Sequence, residues 1–211
     1  MKLTIYDDYL NELCQFYVKK KDRVFDCGCG DGFHTSIIQR YSPYVIGGDF
    51  EDRTKKKYGI NFRKFTVNKF GKTGEFDVVT SLDVIEHVEE DVSYLEELIR
   101  ITKRKGLIII GTPNRNRLSN LVTALTRGKI RYPRRVGYDY GSGGDLFHLR
   151  EYTMSDLCHL VRETGKTKVI KTYSSFLGFY IPKKGLIGFR ALDVKLFKNY
   201  CQHLFIVLRK I

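Results

Sequence analysis

Residues 24–32 read Val-Phe-Asp-Cys-Gly-Cys-Gly-Asp-Gly, and this stretch decides the fold. A short apolar run ends in Asp26, glycines alternate at Gly28, Gly30 and Gly32, and a helix-compatible run begins at Phe33. Glycines so spaced let a strand turn sharply into a helix while the backbone approaches a ligand with no Cβ in the way. The dinucleotide fingerprint needs glycine at position 33, and Phe33 stands there instead.

Working outward, a second apolar run from Tyr44 to Gly48 ends in Asp49, a residue type that can accept both ribose hydroxyls of a nucleoside. A third run, Phe76–Leu82, leads into Asp83-Val84-Ile85-Glu86-His87-Val88. A fourth, Gly106–Gly111, runs into Thr112-Pro113-Asn114-Arg115. Together these resemble the class I S-adenosylmethionine (SAM) methyltransferases, in the branch that holds ubiquinone-pathway O-methyltransferases and sugar or polysaccharide methyltransferases. The resemblance covers the first half of the chain. It implies a Rossmann-like α/β fold: a seven-stranded doubly wound sheet of order 3-2-1-4-5-7-6, the last strand antiparallel, with helices on both faces.

Alternating strand and helix patterns point the same way. Helices are expected near 6–20, 33–41, 51–58 and 89–103, and at a segment capped by Thr153. Strands are expected near 23–27, 44–48, 61–66, 76–81, 106–111, Lys168–Tyr173 and Leu204–Arg209. At 211 residues the chain suits one domain, 1–211. Residues 114–147 break the alternation as a long insert with a short helix over Leu118–Thr126; a segment of this kind is read as a substrate cover.

No apolar run approaches the ~20 residues that span a bilayer, and the N-terminus lacks a signal-peptide core. The scattered cysteines, odd in number, read as free thiols, so a cytoplasmic location is expected. Net charge is +13, and no Asp or Glu occurs from Leu98 to Tyr138. A stretch this basic either attracts anions or is a solvated face. The partners it suggests are a small-molecule or anionic acceptor, an anionic membrane surface met peripherally, or nucleic acid. Oligomeric state is not indicated.

What the resemblance implies for SAM is as follows. Gly28, Gly30 and Gly32 approach the methionine tail, and the following helix start favours its carboxylate. Asp26 accepts from the ammonium group. Asp49 holds the ribose, and Phe50 packs on the adenine. No acidic residue follows the third strand, so Thr66 or Asn68 takes the adenine amino proton with Val67 against the ring. Leu82 sits where relatives hold the methionine end through backbone groups. Methyl transfer to oxygen is an in-line displacement that needs alignment and a proton acceptor. His87 and His148 are the catalytic candidates; His34, His159 and His203 read as structural.

A different reading is a metal-assisted RNA 2′-O-methyltransferase, whose ligand set would be Asp83, Glu86, His87 and His148. No metal is assigned, because Asp83 is one methylene shorter than the glutamate of such enzymes and the four groups are not expected to converge on one ion. A protein that binds SAM without transferring methyl is the third reading.

Overall fold

The computed structural model describes residues 4–66, 69–139, 144–181, 185–189 and 195–211. Seven strands form the main sheet: β1 (Val24–Cys27), β2 (Val45–Asp49), β3 (Asn61–Lys64), β4 (Phe76–Leu82), β5 (Thr102–Pro113), β6 (Thr167–Ser174) and β7 (His203–Lys210). Their order is β3-β2-β1-β4-β5-β7-β6, with β7 antiparallel to both neighbours, as the resemblance implies. Among the described residues five α-helices accompany them: α1 (Ile5–Tyr17), α2 (Phe33–Ile38), α3 (Asp91–Ile101), α4 (Leu118–Arg127) and α5 (Met154–Thr164).

Every residue of β1 is buried, since it lies mid-sheet with helices over both faces. The two-residue period of β7 splits its apolar residues between two cores. Leu204, Ile206 and Leu208 join Phe25, Phe76, Leu95 and Leu157 on the α3/α5 face. Phe205 and Val207 join Tyr6, Leu10, Ile37 and Val45 on the α1/α2 face. Thr4 and Thr153 open α1 and α5 as reciprocal capping boxes with Asp7 and Asp156.

Three expectations are corrected. Residues 51–58 are not a helix; only Lys56–Tyr58 makes a 3₁₀ turn. Asp52 Oδ1 accepts from both Thr54 N and Thr54 Oγ1, a local turn that competes with helix, and Lys55 is tied to Asp31 through backbone and side chain. The helix expected over 89–103 ends at Ile101, because Thr102 already enters the ladder opposite Phe76. The insert folds beyond its helix into an antiparallel hairpin, Arg134–Asp139 against Gly144–His148. A second hairpin, Leu177–Ile181 with Gly185–Phe189, was not anticipated from the sequence. Among the described residues no helix is long and apolar enough to cross a membrane.

Gly48 marks the tightest core contact behind the site. A Cβ there would lie 2.2 Å from Phe25 Cζ, and Phe25 is fully buried and stacked on Phe76. Gly48→Ala should therefore destabilise the protein by roughly 1–3 kcal/mol through overpacking, read as a lowered midpoint in denaturant with an unchanged slope. An unchanged midpoint would mean the Phe25–Phe76 stack yields freely.

Candidate functional site

The sheet order reverses between β1 and β4, and the loops leaving their carboxyl ends form the crevice in which such folds bind ligands. The glycine loop is pinned at its start, where Gly28 N and Cys29 N both donate to Gly48 O at 2.8 and 3.0 Å. Gly28, Gly30 and Gly32 all have positive φ. A Cβ on Gly28 would meet Val84 at 2.3 Å, and one on Gly32 would meet Ile60 at 2.6 Å. Above Gly30 no described residue lies within 4 Å, so two glycines serve packing and the third faces open space.

Asp49, buried at the end of β2, is aimed at that space. Its Oδ2 accepts from Gly30 N at 2.9 Å and its Oδ1 from Phe50 N at 2.7 Å, while Arg53 Nη2 stands 3.4 Å from both oxygens. Phe50 meets Phe65 edge-on, yet leaves 51% of its surface exposed. Thr66 is exposed nearby; Val67 and Asn68 lie outside the described residues. Leu82 is buried in the α1/α2-side core. Asp26 has a tighter role than its motif implied: its two oxygens accept from Thr35 Oγ1 and Thr80 Oγ1, each at 2.6 Å. Burial raises its carboxyl pKa against the lowering by those two hydroxyls.

On the other side of the crevice, the turn Ile85–His87 follows β4 and is sewn to the end of the insert, Leu149 N donating to Glu86 O at 2.8 Å. This brings His87 and His148 together, ring centroids 4.9 Å apart. Both Nδ1 atoms meet groups that only accept: Phe147 O at 2.6 Å from His87 and Glu151 Oε1 at 2.7 Å from His148. Each Nδ1 therefore carries the hydrogen, and each Nε2 turns toward Glu86 Oε1 at 3.9 Å. Glu86 is fully buried; Thr112 Oγ1 satisfies its Oε2, and its Oε1 has no hydrogen-bond partner among the described residues. Burial, with Asp83 adding to it, holds the Glu86 carboxyl well above the ordinary range.

Ligating atoms of Glu86, His87 and His148 all lie within 4.8 Å of one another. Three of the four candidate ligands thus come together, while the full set does not converge, as expected. Asp83 is the exception: its backbone takes φ +55° and its Oδ1 pairs with His203 Nε2 at 3.0 Å, away from the cluster. A shorter side chain on a left-handed backbone reaches β7 instead. His203 accordingly has a site-facing partner that sequence reading missed, and nothing in the order of residues could have signalled a pair 120 positions apart. His34 pairs with Asp7 in α1. Glu151 was also missed as a participant, although its spacing from His148 offered a signal. Arg117 grips it through two bonds of 2.6 and 2.7 Å, and Asn120 Nδ2 adds a third at 2.8 Å.

Residues 25–110 match the family described as "Methyltransferase domain". Over that stretch the chain is similar to methyltransferases, and its sheet order is the one that the resemblance to the SAM-dependent class implies. A ubiquinone biosynthesis O-methyltransferase of Cereibacter sphaeroides is 34% identical over 104 residues, covering 44% of this chain and 42% of that protein. The chain thus spans less than half the length of that curated relative. Among solved structures, a putative methyltransferase of Bacillus halodurans superposes with a TM-score of 0.68 at 14% identity, covering 96% of this chain and 99% of the other. The Burkholderia thailandensis 1,6-didemethyltoxoflavin-N1-methyltransferase, solved with S-adenosylhomocysteine, gives 0.57 at 14% identity, over 97% and 77%. At such identities the structural likeness is one of fold.

Burial works to raise the Glu151 carboxyl pKa, but bonds from His148 and Arg117 outweigh it and bring the group from 4.5 down to about 2. A depressed folded-state pKa stabilises above the unfolded value, and that stability is lost as pH falls from 4.5 toward 2. Denaturant unfolding across this window should cost the wild type up to ~3 kcal/mol more than Glu151→Gln. Parallel acid profiles for the two proteins would contradict the ionised, clamped state of Glu151.

Proposed function

We propose that the protein transfers a methyl group from SAM to a hydroxyl oxygen of a small acceptor, with Glu86, His87 and His148 holding a divalent cation beside that hydroxyl. One atom carries the cation part of this reading. Glu86 Oε1 is buried, has no hydrogen-bond partner, and is faced by Nε2 of two imidazoles whose Nδ1 atoms are engaged elsewhere. Leaving such an oxygen unsatisfied costs ~1–3 kcal/mol or more, whereas a carboxylate and two oriented imidazoles are an ordinary cation ligand set.

SAM fits the other side of the crevice. The space above Gly30 admits a ligand next to the backbone. Asp49 can receive a ribose diol in place of its two long 3.4 Å contacts from Arg53 Nη2, and Phe50 offers an exposed ring for the adenine, with Thr66 at its rim. Bound SAM supplies an electrophilic methyl on sulfonium, and a divalent cation supplies polarisation of the acceptor hydroxyl. The chain's own residues align the two partners, and the insert hairpin, which ends in His148, covers the acceptor side and excludes water. Oxygen as the acceptor atom is supported by the O-methyltransferase name of the curated relative.

Two measurements test the two halves. Asp49→Ala should weaken S-adenosylhomocysteine binding by ~1.5–3 kcal/mol in calorimetry, through loss of charge-assisted bonds; unchanged affinity would remove Asp49 from the ribose. Methyl transfer to a panel of small hydroxylated acceptors should vanish on chelation, return with Mg²⁺ or Mn²⁺, and fall equally in Glu86→Ala and His148→Ala. If turnover ignores chelator while His148→Ala alone lowers it by ~10²–10⁴-fold, His148 is a metal-free base. Methylation of short RNA ends, with none of the small molecules, would move the acceptor to RNA.

A further inference from the structure

We infer that Arg117 is a positioning residue, acting through Glu151 on His148, so that the insert decides whether the cation site is assembled. This rests on the ligand set proposed above.

The geometry is a chain of buried contacts. His148 Nδ1 shares Glu151 Oε1 with Arg117 Nη2, at 2.7 Å each. Arg117 Nη1 and Asn120 Nδ2 take Glu151 Oε2 at 2.6 and 2.8 Å. The Glu151 side chain is wholly buried and that of Arg117 nearly so. A bidentate guanidinium fixes the plane of a carboxylate as well as its charge, and that plane sets the direction from which His148 Nδ1–H is received. The donors come from the insert itself: Arg117 precedes α4 and Asn120 lies in its first turn. Asn120 Oδ1 is in turn held by Arg134, in the hairpin strand, at 3.0 Å. Glu86 and His87 stand on the other side, on the turn after β4. The set is thus divided between the sheet and the insert, and His148 is the member whose orientation α4 controls. Neutralising Glu151 alone would need one cation of any shape. Three donors converging on an oxygen pair that also orients an imidazole do more than neutralise.

The experiment is Mn²⁺ binding to the full chain, followed by electron paramagnetic resonance, with S-adenosylhomocysteine affinity measured on the same samples as a check of folding. Arg117→Ala should weaken Mn²⁺ binding 10–100-fold, the range for loss of an outer partner of a ligand, with S-adenosylhomocysteine affinity retained. Arg117→Lys, which keeps charge but not the bidentate plane, should also weaken it. In a His148→Ala background, Arg117→Ala should add no further loss, because its route to the ion is gone. Equal Mn²⁺ affinity in Arg117→Ala and wild type, or fully additive losses in the double variant, would overturn the inference. Should Arg117→Ala fail to fold, Asn120→Ala takes its place, with a several-fold loss expected and an unchanged affinity counting against the clamp. Wild type that binds no Mn²⁺ refutes the cation reading itself, and a clamp without an ion to serve falls with it.

Discussion

Everything at the site follows from how abruptly the chain leaves β1. Cys27 is the last residue of a fully buried strand, and by Phe33 the chain is in a helix on one face of the sheet. The turn is fastened to one carbonyl, Gly48 O, and takes positive φ at three positions. Side chains at Gly28 and Gly32 would collide with Val84, just after β4, and Ile60, just before β3. The open space above Gly30 is therefore the residue of a packing solution.

Buried carboxylates around the crevice meet three different fates, and the difference is one of partners. Asp26 is received by two threonine hydroxyls, which satisfy its oxygens without adding charge. Glu151 meets an arginine, and its pKa drops to about 2. Glu86 has one hydroxyl, two imidazole nitrogens at a distance and an unsatisfied oxygen, and burial drives its pKa up. Only the third has chemistry left to offer. Desolvation acts on all three; what distinguishes them is whether the fold brings a compensating donor.

The basic stretch from Leu98 to Tyr138 reads differently once folded. Arg100 is bound by Glu97, Lys103 by Asp77, Arg115 by Asp156 and Arg117 by Glu151. Their acidic partners lie outside the stretch in sequence or at its very edge. Part of what looked like an anion-seeking run is internal pairing between distant segments, with Arg117 the buried case.

While the strand order came from the resemblance that the residues carry, the strand and helix alternation, the glycine turn, Asp49 at the end of β2 and the cap at Thr153 were legible in the residues alone. Each depends on local spacing or on a period of two or 3.6, which the chain carries wherever it goes. The three-part cluster was half legible: Glu86 and His87 are adjacent, but their meeting with His148 depends on Leu149 N finding Glu86 O across 63 residues of chain. Residues 51–58 fail as a helix partly for a local reason, the Asp52–Thr54 turn, and partly through the ties of Lys55 to Asp31. Asp83's departure to His203 and Arg117's grip on Glu151 were decided by the tertiary structure alone, because each side chain had more than one partner suited to its chemistry and only the packed fold settled which one it met.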